Sequence, residues 1–362
     1  MRVAILDYWH NETHGGRQVF VDVLVSELIN RGHEVALISK VAREPFDCAL
    51  SGQISQVELL EPRELKSKRI FRELEKLGQF FDEFNPQVIH LQSVICPSKR
   101  LIDILASKRN SKFAQVLTIH DVTELKAVKQ YFSKSQSISN IEAFVSPSVY
   151  IQNRMKEFDS SSSNFLIEHG ERAEPLPNEI SEGRFIYCGR LIVEKGILHL
   201  LSAWRRIYSD LEAFELHIYG DGPLYPVLER LISDYKLSDR TFMHGAISNS
   251  VVRNLHSVNS VLIQPSLVPE SFCLSVLEAM SQGSACIVSN TGALPELIRK
   301  GEDGHVFPTH DIDSLALHMK SLALNSELRK QFGDSAKKRV ATHYTLEKTI
   351  DKYEELYNYV NL

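Results

Sequence analysis

The sequence predicts an α/β chain of two doubly wound domains, and three observations carry that reading. Short β-branched and apolar runs recur from end to end, most of them separated by stretches of helical periodicity. Six such runs lie on each side of an aperiodic segment, 168–183, that is rich in proline, acid and glycine. The length, 362 residues, exceeds one ordinary domain. Strands that are apolar throughout and alternate with helices build parallel sheets covered on both faces.

The runs of the first half are Val3–Leu6, Val35–Ile38, Val88–Leu91, Val116–Ile119, Ala143–Val145 and Phe165–Ile167. Those of the second are Phe185–Tyr187, Leu216–Tyr219, Thr241–Met243, Val261–Ile263, Cys286–Val288 and His305–Phe307. Between the first two, residues 17–31 place Phe20, Leu24, Leu28 and Ile29 on one helical face. A last helix is expected over 345–362, with Ile350, Tyr353, Leu356 and either Tyr357 or Val360 as its stripe. The expected domains are 1–167 and 184–344, joined by a linker, 168–183.

Composition narrows the function classes. A net charge of −5 gives no nucleic-acid signature. The 41 Lys+Arg and 46 Asp+Glu divide unevenly, however: 21 and 20 in residues 1–165, hence 20 and 26 afterwards, so the first half suits an anionic partner better. Five cysteines, Cys48, Cys96, Cys188, Cys273 and Cys286, form no CxxC pair and suggest neither a disulfide framework nor a zinc site. The opening MRVAILDYWH lacks a signal-peptide core, and no apolar run approaches the roughly 20 residues of a membrane span. A cytoplasmic chain is the expectation.

In doubly wound sheets ligands bind beyond the carboxyl ends of the strands, and in two domains that points to the cleft between them. Gly15-Gly16 follows the first strand and opens a helix; it fits a phosphate-cradling turn or an ordinary helix start. His120, in Thr118-Ile119-His120-Asp121, ends a strand and reads as a ligand-facing histidine or as a structural one held by Asp121. Gly189-Arg190-Leu191-Ile192-Val193-Glu194-Lys195-Gly196 places two cations in a glycine-bounded loop. They converge on a diphosphate or stay solvated, and Glu194 is near enough to pair with either. Tyr219-Gly220-Asp221-Gly222-Pro223 lacks the third glycine of a dinucleotide fingerprint, which weakens a nicotinamide reading.

The most informative stretch is Pro269-Glu270-Ser271-Phe272-Cys273-Leu274-Ser275-Val276-Leu277-Glu278-Ala279-Met280. A helix from roughly Ser271 would leave the backbone N–H groups of Phe272, Cys273 and Leu274 as first-turn donors for a phosphate. Glu270 would face the ligand from the loop. Glu278 would lie more than a helical turn beyond, placed for a ribose or on a solvated face, and too far from Glu270 for the carboxylate couple of a retaining hydrolase, about 5–5.5 Å.

Taken in order, Gly15-Gly16, His120-Asp121, Ser146-Pro147-Ser148, the 189–196 loop, Tyr219–Pro223, His244-Gly245, the Glu270-x7-Glu278 element and Gly292–Glu296 resemble glycosyltransferase family 4, retaining enzymes of the GT-B fold. The resemblance runs from residue 15 to about 300. It implies two Rossmann-like domains facing a central cleft, an acceptor-binding N-terminal one and a C-terminal one that binds a nucleotide diphosphate sugar. It implies that the last helix crosses back to the N-terminal domain. Arg190 and Lys195 match the pair that neutralises the departing diphosphate, Glu270 the acid on the sugar hydroxyls, and Glu278 the acid on the ribose. Gly16 matches the phosphate-closing loop, and His120 the residue near the sugar's C6 side. Gly15, Gly189, Gly220, Phe272, Cys273 and Leu274 complete the expected donor contacts. Cys273 stands where the family usually has glycine, and His169-Gly170 where it has Asn-Gly.

The expected reaction is transfer of a hexosyl unit from a UDP-sugar, such as UDP-glucose, in preference to a GDP-sugar. The acceptor is a saccharide or a lipid-linked saccharide, in polysaccharide or glycoconjugate biosynthesis. No cofactor and no metal are expected, because Asp311-Ile312-Asp313 reads as a helix start and not a diphosphate loop. Lys66–Arg72 reads as a surface helix packed on its sheet or as a peripheral contact with the inner face of a membrane. Two other readings use the same donor: a GT-B sugar-nucleotide epimerase, or a non-catalytic sugar-nucleotide-binding protein.

Overall fold

Parallel pairing of the apolar runs organises the computed structural model, which describes residues 1–7, 15–39, 54–58, 77–92, 113–125, 141–158, 162–172, 183–247, 255–256 and 260–362. The chain divides into one unit of Met1–Glu168 with Thr349–Leu362, and a second of His169–Lys348.

In the first unit the strands are β1 (Arg2–Leu6), β2 (Glu34–Ser39), β3 (Ile54–Glu58), β4 (Val88–Leu91), β5 (Ala114–Thr118), β6 (Ala143–Ser146) and β7 (Asn164–Leu166). They lie in the order β3-β2-β1-β4-β5-β6-β7, every pair parallel. The second unit contains β8 (Gly183–Cys188), β9 (Phe214–Tyr219), β10 (Thr241–Gly245), β11 (Ser260–Gln264), β12 (Ala285–Ser289) and β13 (Gly304–Phe307). Their order is β10-β9-β8-β11-β12-β13, again all parallel. Strand order reverses between β1 and β4 and between β8 and β11. These are the switch points beyond which doubly wound sheets bind ligands.

Among the described residues the first sheet has seven strands where the apolar runs predict six. The added strand, β3, is ISQVE, whose polar residues interrupt any apolar run, and among the described residues it pairs with β2 alone, at the sheet edge. An edge strand is freed from the two-sided burial that makes its neighbours legible.

Helix Gly16–Asn30 buries Phe20, Val21, Leu24, Val25, Leu28 and Ile29, the wide stripe expected of a helix laid on a parallel sheet. The second unit is built around the fully buried Trp204, whose indole N–H donates to Thr241 Oγ1 at 2.9 Å, so its one polar atom stays bonded. The last helix, Leu346–Val360, buries Ile350, Tyr353, Leu356 and Tyr357, which settles its stripe on Tyr357. Tyr357 Oη lies 2.7 Å from His90 Nδ1, and Glu354 accepts from His33 and from Arg31, each at 2.6 Å. The first unit is therefore closed by residues from the far end of the chain.

Residues Lys66–Arg72, 173–182 of the inter-unit segment, Cys48 and Cys96 lie outside the described residues. Among the described residues no helix is long and apolar enough to cross a membrane.

Candidate functional site

In the second unit the loops after β8, β9 and β11 zip together through their backbones at the switch point. Gly189 N donates to Tyr219 O, Leu191 N to Asp221 O, and Leu267 N to Glu194 O, at 2.8–3.0 Å. The glycines permit this closeness. A Cβ on Gly220 (φ +139) would lie 1.9 Å from Gly189 O, and one on Gly196 (φ +71) would lie 1.8 Å from Pro265 O. Tyr187 supports the 189–196 loop from below by donating its hydroxyl to Arg190 O at 2.9 Å.

Lys195 and Glu270 meet across this assembly. Lys195 Nζ lies 2.7 and 2.8 Å from the two Glu270 carboxylate oxygens. Their side chains are 21% and 12% exposed, shielded enough for the charges to feel each other strongly. Ser266 Oγ also donates to Glu270 Oε1, and Gln264 Nε2 donates to Ser266 Oγ at 2.8 Å. The anticipated competition from Glu194 does not occur at Lys195, which is held by Glu270 instead. Arg190 is exposed and makes no ion pair among the described residues.

The helix after this loop starts at Leu274 and not near Ser271. Cys273, at φ 95° and ψ 85°, turns the chain at its N-cap, while Phe272 is buried edge-on against His169, ring centroids 4.9 Å apart. The first-turn donors are consequently those of Leu274, Ser275 and Val276. Cys273 explains the glycine preference of the resembling family, because side chains rarely adopt this backbone conformation. Burial, then the Glu270 charge, pushes its thiol up to about 11.

Glu278 occupies the second turn, 5% exposed. The Cys188 thiol is pushed up to about 12, first by burial and then by the Glu278 charge, so that carboxylate faces the end of β8. The two glutamates therefore have separate surroundings: Glu270 on a lysine in a loop, Glu278 on a helix against a strand end.

His120, Gly15 and Gly16 belong to the first unit. His120 Nε2 lies 2.8 Å from Gln92 Oε1, and its backbone N–H donates to Glu124 Oε2 at 2.8 Å. Asp121 does not hold the ring: its carboxylate accepts from Thr123 N at 2.7 Å and caps the following turn. Gly15 precedes helix Gly16–Asn30 as its N-cap in extended conformation, with no side-chain cap. Nearby, Arg17 lies 3.3 Å from the fully buried Asp7 at the end of β1. Among the described residues no group of three or more His, Cys, Asp or Glu side chains is placed to hold a metal ion. Asp311 accepts from Ser314 N at 2.9 Å as a helix N-cap.

Residue reading missed Ser266, Gln264 and Gln92. A common signal was available: Gln264 closes and Gln92 immediately follows an apolar strand flanking a switch point, where a polar residue has no packing reason to be.

Comparison with known proteins agrees with this geometry. Residues 173–339 match the family described as Glycosyl transferases group 1, and residues 14–165 match Glycosyltransferase Family 4. The chain is 25% identical over 248 residues to N-acetyl-alpha-D-glucosaminyl L-malate synthase of Bacillus anthracis, covering 67% of this chain and 59% of that protein. It spans about half the length of the curated relatives it matches. Sucrose-phosphate synthase from Thermosynechococcus elongatus superposes with a TM-score of 0.80 at 19% identity, covering 99% of this chain and 98% of that one. Anabaena Alr3699/HepE in complex with UDP and glucose superposes with a TM-score of 0.77 at 14% identity, covering 98% and 99%. With both halves matched and the whole fold shared, the chain belongs to the group 1, family 4 glycosyltransferases and has the GT-B fold.

Proposed function

We propose that the chain transfers a hexosyl unit from a UDP-sugar to a saccharide or lipid-linked saccharide, with retention at the anomeric carbon. The observation that carries this reading is the Lys195–Glu270 pair beside the exposed Arg190, at the switch point of the second sheet. A nucleotide diphosphate is already a good leaving group, so the protein's task is to place it and stabilise its growing charge. Arg190, Lys195 and the first-turn N–H groups of helix Leu274–Ser281 supply that stabilisation. Glu270 is assigned to the sugar hydroxyls and Glu278 to the ribose; in the first unit, His120 is assigned to the sugar and Gly15-Gly16 to the phosphates.

In the proposed step the bond from the sugar C1 to the diphosphate oxygen breaks. The acceptor oxygen bonds to C1 on the same face, and its proton passes to the departing diphosphate. Glu270, on a loop lysine, and Glu278, on a helix against a strand end, have separate surroundings and do not form the close carboxylate couple of a retaining hydrolase, which favours this route over a covalent intermediate. The UDP preference is supported by the fold shared with a protein crystallised with UDP and glucose.

The test is a panel of UDP-, GDP- and ADP-sugars read by thermal shift and by product analysis with saccharide acceptors. A UDP-sugar is expected to raise Tm and to be consumed only with acceptor, and Arg190→Ala to lower kcat roughly 100-fold. Conversion of donor without acceptor would identify an epimerase, and binding without turnover a binding protein. Near-normal transfer by both Arg190→Ala and Lys195→Ala would remove the assigned roles.

A further inference from the structure

We propose that Gln92 is a positioning residue for His120, holding its imidazole in the tautomer protonated on Nε2, with Tyr357 of the last helix as the far anchor of the clamp.

Gln92 is fully buried immediately after β4, and its backbone N–H donates to Leu6 O at 2.9 Å, so the side chain starts from a fixed point. Its amide lies between two imidazoles. On one side Oε1 is 2.8 Å from His120 Nε2. On the other, Nε2 is 3.1 and 3.2 Å from the two ring nitrogens of His90. Near-equal distances to both nitrogens place the amide over the face of the His90 ring and not in its plane. The in-plane directions are already taken: Tyr357 Oη is 2.7 Å from Nδ1, and Thr118 Oγ1 is 2.7 Å from Nε2.

That arrangement decides which way round the amide sits. The face of a neutral aromatic ring is electron-rich; it welcomes an N–H and repels a carbonyl oxygen. His90 is fully buried, and burial lowers its pKa to about 3, so the ring is neutral. The amide N–H therefore belongs on His90 and the carbonyl on His120. A carbonyl only accepts, so the facing His120 Nε2 must carry a proton. When that ring is neutral its lone pair is on Nδ1. Further restraint comes from Glu124 on the His120 backbone and from the Phe20 ring, whose centroid is 6.1 Å away.

Tyr357 closes the chain of contacts. It holds His90, His90 orients Gln92, and Gln92 orients His120, so a residue 237 positions away in sequence fixes the imidazole. This inference rests on the transferase reading only for its kinetic consequence; the tautomer itself does not depend on it.

The experiment is ¹⁵N NMR of histidine-labelled full chain, with His120→Ala used to assign the signal, alongside kinetics of Gln92→Met and Gln92→Glu. Wild type is expected to show His120 protonated on Nε2 at neutral pH. Gln92→Met, which keeps the bulk and loses the acceptor, should show mixed tautomers and a kcat lowered roughly 10- to 100-fold with donor KM changed less. Gln92→Glu keeps an acceptor facing Nε2 and should keep it protonated, with the carboxylate charge favouring protonation of Nδ1 as well. A wild-type His120 protonated on Nδ1 overturns the proposal, as does Gln92→Met with unchanged tautomer and turnover. A wild-type chain that transfers no sugar would remove the transferase reading alone, because the NMR result stands without it.

Discussion

Lys195 Nζ donates to both carboxylate oxygens of Glu270, at 2.7 and 2.8 Å, and so ties the loop after β8 to the loop after β11. The pair sets two shielded charges against each other. An arriving diphosphate would compete with Glu270 for the lysine, and Ser266 would retain the carboxylate as the lysine turns away. The first prediction is energetic. A double-mutant cycle of Lys195→Ala and Glu270→Gln, followed by urea unfolding, should show a coupling of about 1–2 kcal/mol. Additivity of the two single effects would show that the pair contributes nothing specific to the fold.

Cys273 supplies the second. Its φ of 95° is a glycine conformation, while Cys286 sits buried in regular strand β12. At 273 the expected stability order is glycine at least equal to cysteine, with valine lower by about 2 kcal/mol or more, because a β-branched residue suffers most at positive φ. At 286 the order should reverse, with valine tolerated and glycine costing about 2 kcal/mol or more through the cavity it leaves. The same order at both positions would refute the strain at Cys273.

A third concerns the zipped loops. Alanine at Gly196 must move Pro265 O, whereas a methyl on Gly301, at φ 82°, would meet no atom of the described residues within 4 Å. Gly301→Ala should cost about 1 kcal/mol, the conformational penalty alone. Gly196→Ala should cost measurably more in the same unfolding assay and weaken donor binding with it. Equal costs would mean that the loop contact is soft.

Acid should destabilise the chain through its buried histidines. His90 and His169 are neutral in the fold, their pKa values lowered to about 3 by burial. The unfolded chain binds these protons near pH 6.5, so it takes up more protons than the native state in the window between about 6.5 and 3. Their stabilising contribution is complete above that window and is lost as pH falls through it, at up to about 1.4 kcal/mol per pH unit for each histidine. Urea midpoints between pH 7 and 4.5 should fall accordingly, and more gently in His90→Gln. A flat profile would mean that these rings titrate normally.

Much of this architecture was legible because two-sided burial writes itself into sequence. Twelve apolar runs marked twelve of the strands, and the motifs followed strand ends because ligand sites of doubly wound sheets do. What stayed hidden was set by other physics. Strand β3 is an edge, so its polar residues gave no apolar run. The helix start moved to Leu274 because Phe272 is drawn onto His169, a tertiary contact between residues 103 positions apart. Lys195 chose Glu270 over its neighbour Glu194, since chain proximity says nothing about which way a loop faces. His120 and Gln92 each stand at a strand end in the sequence, but their pairing is not written along the chain, and the neighbouring strands β4 and β5 bring them together.

The first unit takes its closing helix from residues 346–360, and that has a consequence for how the chain is made. During synthesis the second unit, His169–Lys348, is complete before Tyr353 and Tyr357 exist. Until those rings arrive, His90 lacks its Tyr357 partner and Phe20 its Tyr353 ring contact, and the earlier-made unit waits for the later-made one. A chain released before residue 349 would therefore carry the whole of the second unit behind a first unit that lacks the helix residues closing it.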